Sequence, residues 1–181
     1  MEDMTDAVHP LVAFYRDGAP DDENRTLAQI LGWDDRRLEA IHDYIQWLFP
    51  LPERSGANPS APTLDEATIQ AFRTTPVMRD RLRQAFLRML RFYGLAWIPD
   101  SSDGTGPGIH RAANFGIRSG EWLSPMNHNH LRLTRILRSL RLLGLEEEAA
   151  ALFRELDAIH QEYPGRITAR TFDYWKDATS S

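Results

Sequence analysis

Apolar side chains recur along most of this chain at the three- and four-residue spacing of one face of an α-helix. The clearest helix begins at Thr75-Pro76 and ends at Gly94, since proline suits the first helical position and glycine the position after the last. Its predicted buried face carries Met78, Leu82, Ala85, Phe86, Met89, Leu90 and Tyr93. Strand-type alternation is almost absent. The spacing therefore predicts an all-α fold, a single compact globule of about six to seven helices.

The other predicted helices follow from the same spacing and from local start and stop signals. One helix begins after Asp34, ends at Pro50 and buries a stripe on one face: Leu38, Ile41, Ile45 and Leu48. The run Thr63-Leu64-Asp65-Glu66 has the pattern of a capping box and predicts a helix start at Thr63. Further helices are expected at 6–15, 26–31, 124–144 and 146–163, with a short last one at Phe172 and Trp175 and a turn-rich excursion at 110–123 packed by Phe115 and Trp122.

Three parts are expected along the chain. Residues 1–13 would form an N-terminal helix or arm, 14–163 the main domain, and 164–181 a short C-terminal helix with a tail. Within the main domain, the sequence PDSSDGTGPG predicts a flexible loop at 99–110, because glycine, proline and small polar residues favour irregular backbone.

Charge and composition exclude several classes of function. The net charge is −5, whereas a protein that mainly binds nucleic acid is usually basic, so we expect no nucleic-acid partner. The chain has no cysteine, so neither a disulfide nor a thiolate zinc site can form. The acidic N-terminus is not a targeting sequence, and no window approaches the roughly 18 apolar residues of a transmembrane segment. We expect a cytoplasmic protein that uses no metal and no cofactor.

A first polar cluster lies in the segment Ile41-His42-Asp43-Tyr44-Ile45-Gln46-Trp47-Leu48-Phe49-Pro50. On a helix, His42 and Gln46 would share one edge beside the apolar stripe. A histidine at such an edge suits a general base or a ligand-binding group. The alternative is a half-buried histidine that hydrogen-bonds to a backbone carbonyl, with Trp47 in the core or in a hydrophobic lid.

A second polar cluster, Asn127-His128-Asn129-His130, lies at the start of the 124–144 helix, which Asn127 or Asn129 is expected to cap. Its two histidines could bind a metal, but no neighbouring carboxylate pattern supports a metal site. A basic stripe follows at a spacing of three residues: Arg132, Arg135, Arg138 and Arg141. The stripe suits an anionic ligand near the helix start, or alternatively ion pairs with the next helix at Glu146, Glu147, Glu148 and Glu155.

The segment His42 to Pro50 resembles the signature of the opioid growth factor receptor conserved region. Three further blocks agree in the same order, and the resemblance covers about residues 14 to 156: Phe14 to Gly18, Leu64 to Leu95 and His128 to Leu137. The family often has asparagine where this chain has Ile41, and a second asparagine at His130, so a metal site at His130 loses support. The chain resembles the conserved domain alone, as in bacterial or fungal relatives, without the long repeat-bearing tails of the vertebrate receptors.

The resemblance implies a receptor or binding module and supplies no established catalytic residues. Vertebrate members are described as receptors for an enkephalin peptide, associated with the nuclear membrane. We therefore expect a module for a peptide or a small anionic ligand, and any catalytic role stays open with a lean against it. The expected ligand-binding residues are His42, Gln46, Trp47, His128, Asn129, Arg132 and Arg135.

This site requires the 34–49 and 124–144 helices to pack together. Replacing His42 and Arg132 should then abolish ligand binding with little change in melting temperature. The rival hypothesis is an uncharacterised hydrolase- or transferase-like enzyme. In that case His42 or His128 would be the acid or base, and two arginines, Arg132 and Arg135, would hold a phosphate-like group of the substrate.

Overall fold

The computed structural model describes residues 7–99 and 107–180, and helices dominate it. Within these residues the chain forms ten α-helices, a π-helical turn and one two-stranded antiparallel sheet. The predicted helical architecture is confirmed, whereas the all-α class and the count of six to seven helices are wrong. The elements are α1 Pro10–Val12, the π-helical turn Ala13–Asp17, α2 Leu27–Leu31, α3 Asp35–Ala40, α4 Ile45–Leu48, α5 Glu66–Thr74, α6 Pro76–Tyr93, β1 Leu95–Ile98, β2 Gly108–Arg111, α7 Phe115–Trp122, α8 His128–Leu142, α9 Glu146–Glu162 and α10 Ala169–Thr179.

The single helix predicted at 34–49 is wrong, because the chain breaks it into α3 and α4. Ile41 takes extended backbone, with φ −101° and ψ 133°, and helical structure resumes only at Ile45. Side chains replace the lost helical hydrogen bonds: the Tyr44 hydroxyl donates to the Leu38 carbonyl at 2.9 Å. The residues of the predicted stripe stay buried or half-buried across the break, so their spacing alone could not reveal it.

Helix starts are predicted better than helix continuity. Asp34 and Asn127 cap α3 and α8 as expected, each accepting a backbone N–H hydrogen bond with its side chain. The start predicted at Thr63 is wrong. Asp65 is the residue that caps α5, and its carboxylate accepts from the Thr68 N–H at 2.7 Å. An aspartate accepts this bond more strongly than a threonine hydroxyl does, because its oxygen is charged.

The small sheet is the main departure from the all-α prediction. β1 and β2 pair antiparallel, with Leu95 opposite Arg111 and Ile98 opposite Gly108. Each strand has only four residues and shows no alternation of apolar and polar side chains, which is why the sequence pattern missed it. The flexible loop predicted at 99–110 lies largely outside the described residues, and its last residues belong to β2.

Residues 110–123 contain a regular helix, so the predicted turn-rich excursion is wrong for most of that range. The prediction that Phe115 and Trp122 pack it is confirmed, since both are buried at the two ends of α7. Gly116 and Gly120 hid the helix from the sequence analysis, because glycine is a poor helix former.

Arginines from neighbouring elements satisfy carbonyls at the C-terminal ends of several helices. Arg73 of α5 donates to the Leu142 carbonyl of α8 at 2.9 Å, and Arg118 of α7 donates to the Phe92 carbonyl of α6 at 2.7 Å. The last carbonyls of a helix have no partner inside the helix, and a guanidinium brings several donors to them. These contacts join helices that are distant in the sequence.

Helix α8 lies at the centre of the C-terminal half and packs against α9 and α10. Trp175 of α10 is fully buried, and its indole N–H donates to the His130 carbonyl of α8 at 3.1 Å. None of the helices in the described ranges is both long and apolar enough to cross a membrane.

Candidate functional site

A cavity of about 470 Å³ opens between α4, the loop at 51–57 and the outer face of α8. Apolar groups from Ile45, Leu51 and Leu131 form part of its wall. Its ionisable and amide side chains come from all three segments: His42, Gln46, Glu53, Arg54, His128, Arg132, Arg135 and Arg138. Among the described residues that line it, four arginines face one carboxylate, so the cavity is cationic in a chain whose net charge is −5.

Five of the seven residues predicted to bind a ligand line this cavity, and two described ones do not. Trp47 is buried on the other side of α4, where its indole N–H donates to Asp22 at 3.1 Å. Asn129 is fully buried and donates to Glu39 at 3.1 Å. The five that line the cavity are His42, Gln46, His128, Arg132 and Arg135.

The two histidines lie side by side at one end of the cavity. The ring centroids of His42 and His128 are 5.3 Å apart, and the His128 Nε2 lies 2.8 Å from a carboxylate oxygen of Glu39. His128 is about half exposed, with 46% of its side chain accessible. The glutamate orients the His128 ring and leaves its Nδ1 facing away from the bond, an arrangement that suits ligand binding or proton transfer.

Arg132 fixes the tautomer of His42. Its Nη2 lies 3.3 Å from the His42 Nδ1, and a guanidinium can only donate, so Nδ1 is the acceptor and the proton of the neutral ring is on Nε2. Burial lowers the pKa of His42, and the charge of Arg132 lowers it further. At neutral pH the cavity therefore contains a neutral His42 whose Nε2–H is available as a donor.

Arg132 is also a structural residue, because its guanidinium holds the break between α3 and α4. It is 5% exposed and donates to the carbonyls of Leu38 at 3.0 Å and Ile41 at 2.9 Å. It further donates to the Asn129 side chain at 3.3 Å. The sequence-based expectation that its replacement would leave the melting temperature unchanged does not fit these contacts.

Two more side chains of α8 hold the segment that follows α4. Arg135 donates to the Phe49 carbonyl at 3.1 Å, and the Ser139 hydroxyl donates to the Pro50 carbonyl at 2.9 Å. We call Arg132, Arg135 and Ser139 the donor stripe of α8. The donor stripe explains why segment 38–50 and α8 lie against each other: the segment presents backbone carbonyls, and α8 supplies the side-chain donors.

Arg135 keeps an unpaired charge beside the cavity. Within residues 7–99 and 107–180, no carboxylate oxygen lies within 4 Å of its guanidinium, which is half-buried. Burial lowers the pKa of Arg135, and the neighbouring charge of Arg138 lowers it further. The charge of Glu53 acts on Arg135 in the opposite direction but from a distance, so a half-buried cation with no carboxylate in contact favours an incoming anion.

The predicted ion pairs between the basic stripe and the next helix do not form in the described part of the chain. Arg138 pairs with Glu53 at 2.6 Å, and Arg141 donates to the Ser180 carbonyl. The glutamates of α9 bind arginines of other elements, as Glu148 does with Arg83 at 2.8 Å. Of the basic stripe, Arg132, Arg135 and Arg138 line the cavity instead. Arg132 and Arg135 also donate to carbonyls of segment 38–50.

Three residues at the site were missed by sequence analysis: Glu39, Glu53 and Arg54. Glu39 precedes His42 by three residues, a spacing that could have suggested a shared helical edge. Glu53 and Arg54 follow Pro52 in an irregular loop, and no local signal places them against α8. They reach the cavity only through the tertiary fold.

His130, one of the two departures from the family pattern, lies outside the cavity in the core. Its Nε2 donates to the Trp122 carbonyl at 2.8 Å, so its Nδ1 is unprotonated, and its ring lies between Trp122 and Trp175. The described residues contain no group of three or more histidine, cysteine, aspartate or glutamate side chains placed to hold a metal. In this structure His130 packs the core.

Acid should destabilise the protein through His130. Burial lowers its folded-state pKa below the usual 6.5, so the unfolded state binds more protons below that pH. The stability that neutral, buried His130 contributes is fully present above pH 6.5. It is lost as the pH falls from there through the folded-state pKa. We expect urea midpoints of the wild type to fall between pH 7 and pH 5, and those of His130→Asn to fall less steeply. Equal slopes would contradict this assignment.

The fold and the site define a mostly helical domain with a cationic cavity that combines two adjacent histidines with arginines. The sequence model of one protein family, the opioid growth factor receptor (OGFr) conserved region, matches residues 14–180. The chain therefore belongs to this family. No solved structure matches the chain.

Several vertebrate proteins are similar in sequence to this chain. The chain is 44% identical to the opioid growth factor receptor of mouse over 124 residues, which are 67% of this chain and 19% of the relative. It is 39% identical to the human receptor over 148 residues, 79% of this chain and 21% of the relative. The opioid growth factor receptor-like protein 1 of mouse is 40% identical over 121 residues, 67% of this chain and 25% of the relative. The match thus spans about a fifth to a quarter of these relatives' length.

Proposed function

We propose that this protein is a ligand-binding module whose cavity takes the anionic group of a peptide or of a small molecule. The observation that carries the proposal is the charge of the cavity lining, four arginines against one carboxylate in an acidic chain. Such a lining concentrates anions, and a guanidinium can hold a carboxylate or phosphate through two parallel hydrogen bonds. Arg135 is the central anion-binding residue, because it has no carboxylate partner among the described side chains.

The shape of the cavity supports an amphipathic ligand. Leu51 and Ile45 give it an apolar wall, and Leu131, 70% exposed, forms an apolar lip. An apolar body would lie on this wall while the anionic group meets the arginines. A peptide with a free C-terminal carboxylate has this chemistry. The relatives are named opioid growth factor receptors. Since the family resemblance implies an enkephalin peptide, such a peptide is the first one to try.

Replacing Arg135 tests this proposal. Inorganic pyrophosphate and an enkephalin peptide serve as probes in isothermal titration calorimetry, the peptide as free acid and as C-terminal amide. We expect Arg135→Gln to weaken binding of the anionic probes at least about tenfold, because a hydrogen bond to a charged group contributes roughly 1.5 to 3 kcal/mol. The amide should bind more weakly than the acid if the carboxylate is recognised.

The matched control is Arg91→Gln, which removes the same charge from an exposed position on α6 outside the cavity. It should bind like the wild type. Failure of the wild type to bind pyrophosphate and both peptides, or an equal loss in the two variants, would contradict an anion site at Arg135.

A hydrolase- or transferase-like enzyme is the second candidate, and the Glu39–His128 contact favours it. A carboxylate that orients a histidine next to a second, neutral histidine is a common arrangement for acid–base catalysis. The decisive measurement is phosphate release from an aryl phosphate ester. Turnover by the wild type that is absent in His128→Gln, with binding retained, would favour the enzyme over the binding module.

A further inference from the structure

Glu53 is the carboxylate among the described residues that line the cavity, and it binds one of the cavity's arginines. Arg138 donates to a Glu53 oxygen at 2.6 Å, and both side chains belong to the cavity wall. The hydrogen bond from Arg138 lowers the pKa of Glu53, and the charges of Arg138 and Arg135 add to the effect. The Glu53 carboxylate thus lies in the combined field of two arginines that line the cavity.

Glu53 belongs to a loop that is anchored at its ends. The Leu51 carbonyl accepts from the Leu64 N–H at 3.0 Å, and the Asn58 side chain donates to the Asp43 carbonyl at 2.9 Å. Between these anchors, Ser55 accepts two local backbone hydrogen bonds. In the described part of the chain, the Arg138–Glu53 ion pair is the hydrogen bond that joins side chains of residues 52–57 to α8.

This ion pair is weak enough to be exchanged for a ligand. The Glu53 side chain is 61% exposed and that of Arg138 is 37% exposed, and ion pairs this exposed to solvent contribute little free energy. By contrast, the donor stripe of α8 is held by backbone carbonyls that cannot leave. An incoming anion would therefore displace Glu53 rather than rearrange Arg132 or Arg135.

We propose that Glu53 occupies an anion subsite at Arg138, with Arg135 beside it, and that a ligand's carboxylate or phosphate binds there by displacing Glu53. This proposal rests on the proposed function. It adds where the ligand's anionic group binds, and it identifies Glu53 as an internal competitor for that position. Loop 51–57 is the part that moves when the ligand enters. Glu53 imitates the ligand's charge, so the cavity is self-inhibited when no ligand is bound.

The test compares Glu53→Gln with the wild type, using inorganic pyrophosphate as the probe in calorimetry. Removing the competitor should tighten binding about two- to fivefold, the equivalent of one exposed ion pair. Glu147→Gln makes the same change of charge at an exposed residue of α9 outside the cavity and should not alter the affinity. Melting temperatures confirm that both variants are folded.

A double-mutant cycle with Arg138→Gln tests whether Glu53 competes with the ligand through Arg138. The gain from Glu53→Gln should shrink when Arg138 is already replaced, because the competitor has then lost its partner. Equal affinities of wild type and Glu53→Gln, or equal gains in Glu53→Gln and Glu147→Gln, would overturn the subsite while leaving anion binding intact. Absence of pyrophosphate binding in every variant would overturn both the subsite and the anion-binding proposal.

Discussion

Replacing Arg132 with alanine should lower the free energy of unfolding by about 3 to 5 kcal/mol, because its guanidinium makes several buried hydrogen bonds and each hydrogen bond to a charged group contributes roughly 1.5 to 3 kcal/mol. The guanidinium is 5% exposed and serves two carbonyls, of Leu38 and Ile41, as well as the Asn129 side chain. Alanine would leave the Ile41 carbonyl and the Asn129 side-chain oxygen without this donor, and each unsatisfied buried group costs about 1 to 3 kcal/mol. The Leu38 carbonyl would keep only the hydrogen bond from the Tyr44 hydroxyl. Urea unfolding followed by circular dichroism gives the value directly.

Arg138→Ala is the matched control on the same helix. Its guanidinium makes an exposed ion pair, so its loss should cost less than about 1 kcal/mol. Arg132→Lys should recover only part of the loss, because one ammonium cannot reach acceptors on both sides of the α3–α4 break. Similar urea midpoints for Arg132→Ala and Arg138→Ala would show that Arg132 does not hold the break.

Replacing Gly94 with alanine should destabilise the protein by about 2 to 5 kcal/mol, because two independent costs add at this position. Gly94 ends α6 with a φ of +78°, a left-handed conformation that alanine adopts only with strain. A Cβ there would lie 2.8 Å from the Phe115 Cα and 3.0 Å from the Arg118 Cβ, so α7 would have to move. Thermal unfolding should show a drop in melting temperature of several degrees.

Gly116→Ala is the control for Gly94→Ala. Gly116 lies in α7, and a Cβ built on it meets no atom within 4 Å. Alanine also favours a helix over glycine, so this substitution should be neutral or stabilising by up to about 1 kcal/mol. Gly94→Ala melting at the wild-type temperature would mean that α7 can shift away from α6 at little cost.

Sequence reasoning placed the helices correctly where periodicity and end signals agree. The helix from Pro76 to Gly94 is the best example, because its apolar face, its proline start and its glycine end all point to one element. The same reasoning failed at Ile41, where apolar spacing continues across a break in the backbone. Periodicity reports which side chains are buried, and it does not report where a carbonyl finds its donor.

The candidate site was likewise predictable in part. The two polar clusters and their convergence could be predicted, since His42, His128 and Arg132 do lie together. The sequence could not predict which arginines bind backbone carbonyls and which stay free for a ligand, because runs of arginine at helical spacing look like a solvated surface. In the structure Arg132 and Arg135 supply donors to a segment about ninety residues earlier in the chain, and a local pattern carries no record of such partners.

The donor stripe of α8 has a consequence for the order in which the protein can fold. Its partners are 86 to 94 residues away: Arg132 reaches Leu38 and Ile41, Arg135 reaches Phe49, and Ser139 reaches Pro50. During synthesis, the carbonyls of Ile41, Phe49 and Pro50 therefore leave the ribosome long before the α8 side chains that donate to them. The signature segment is completed late, after most of the chain has emerged.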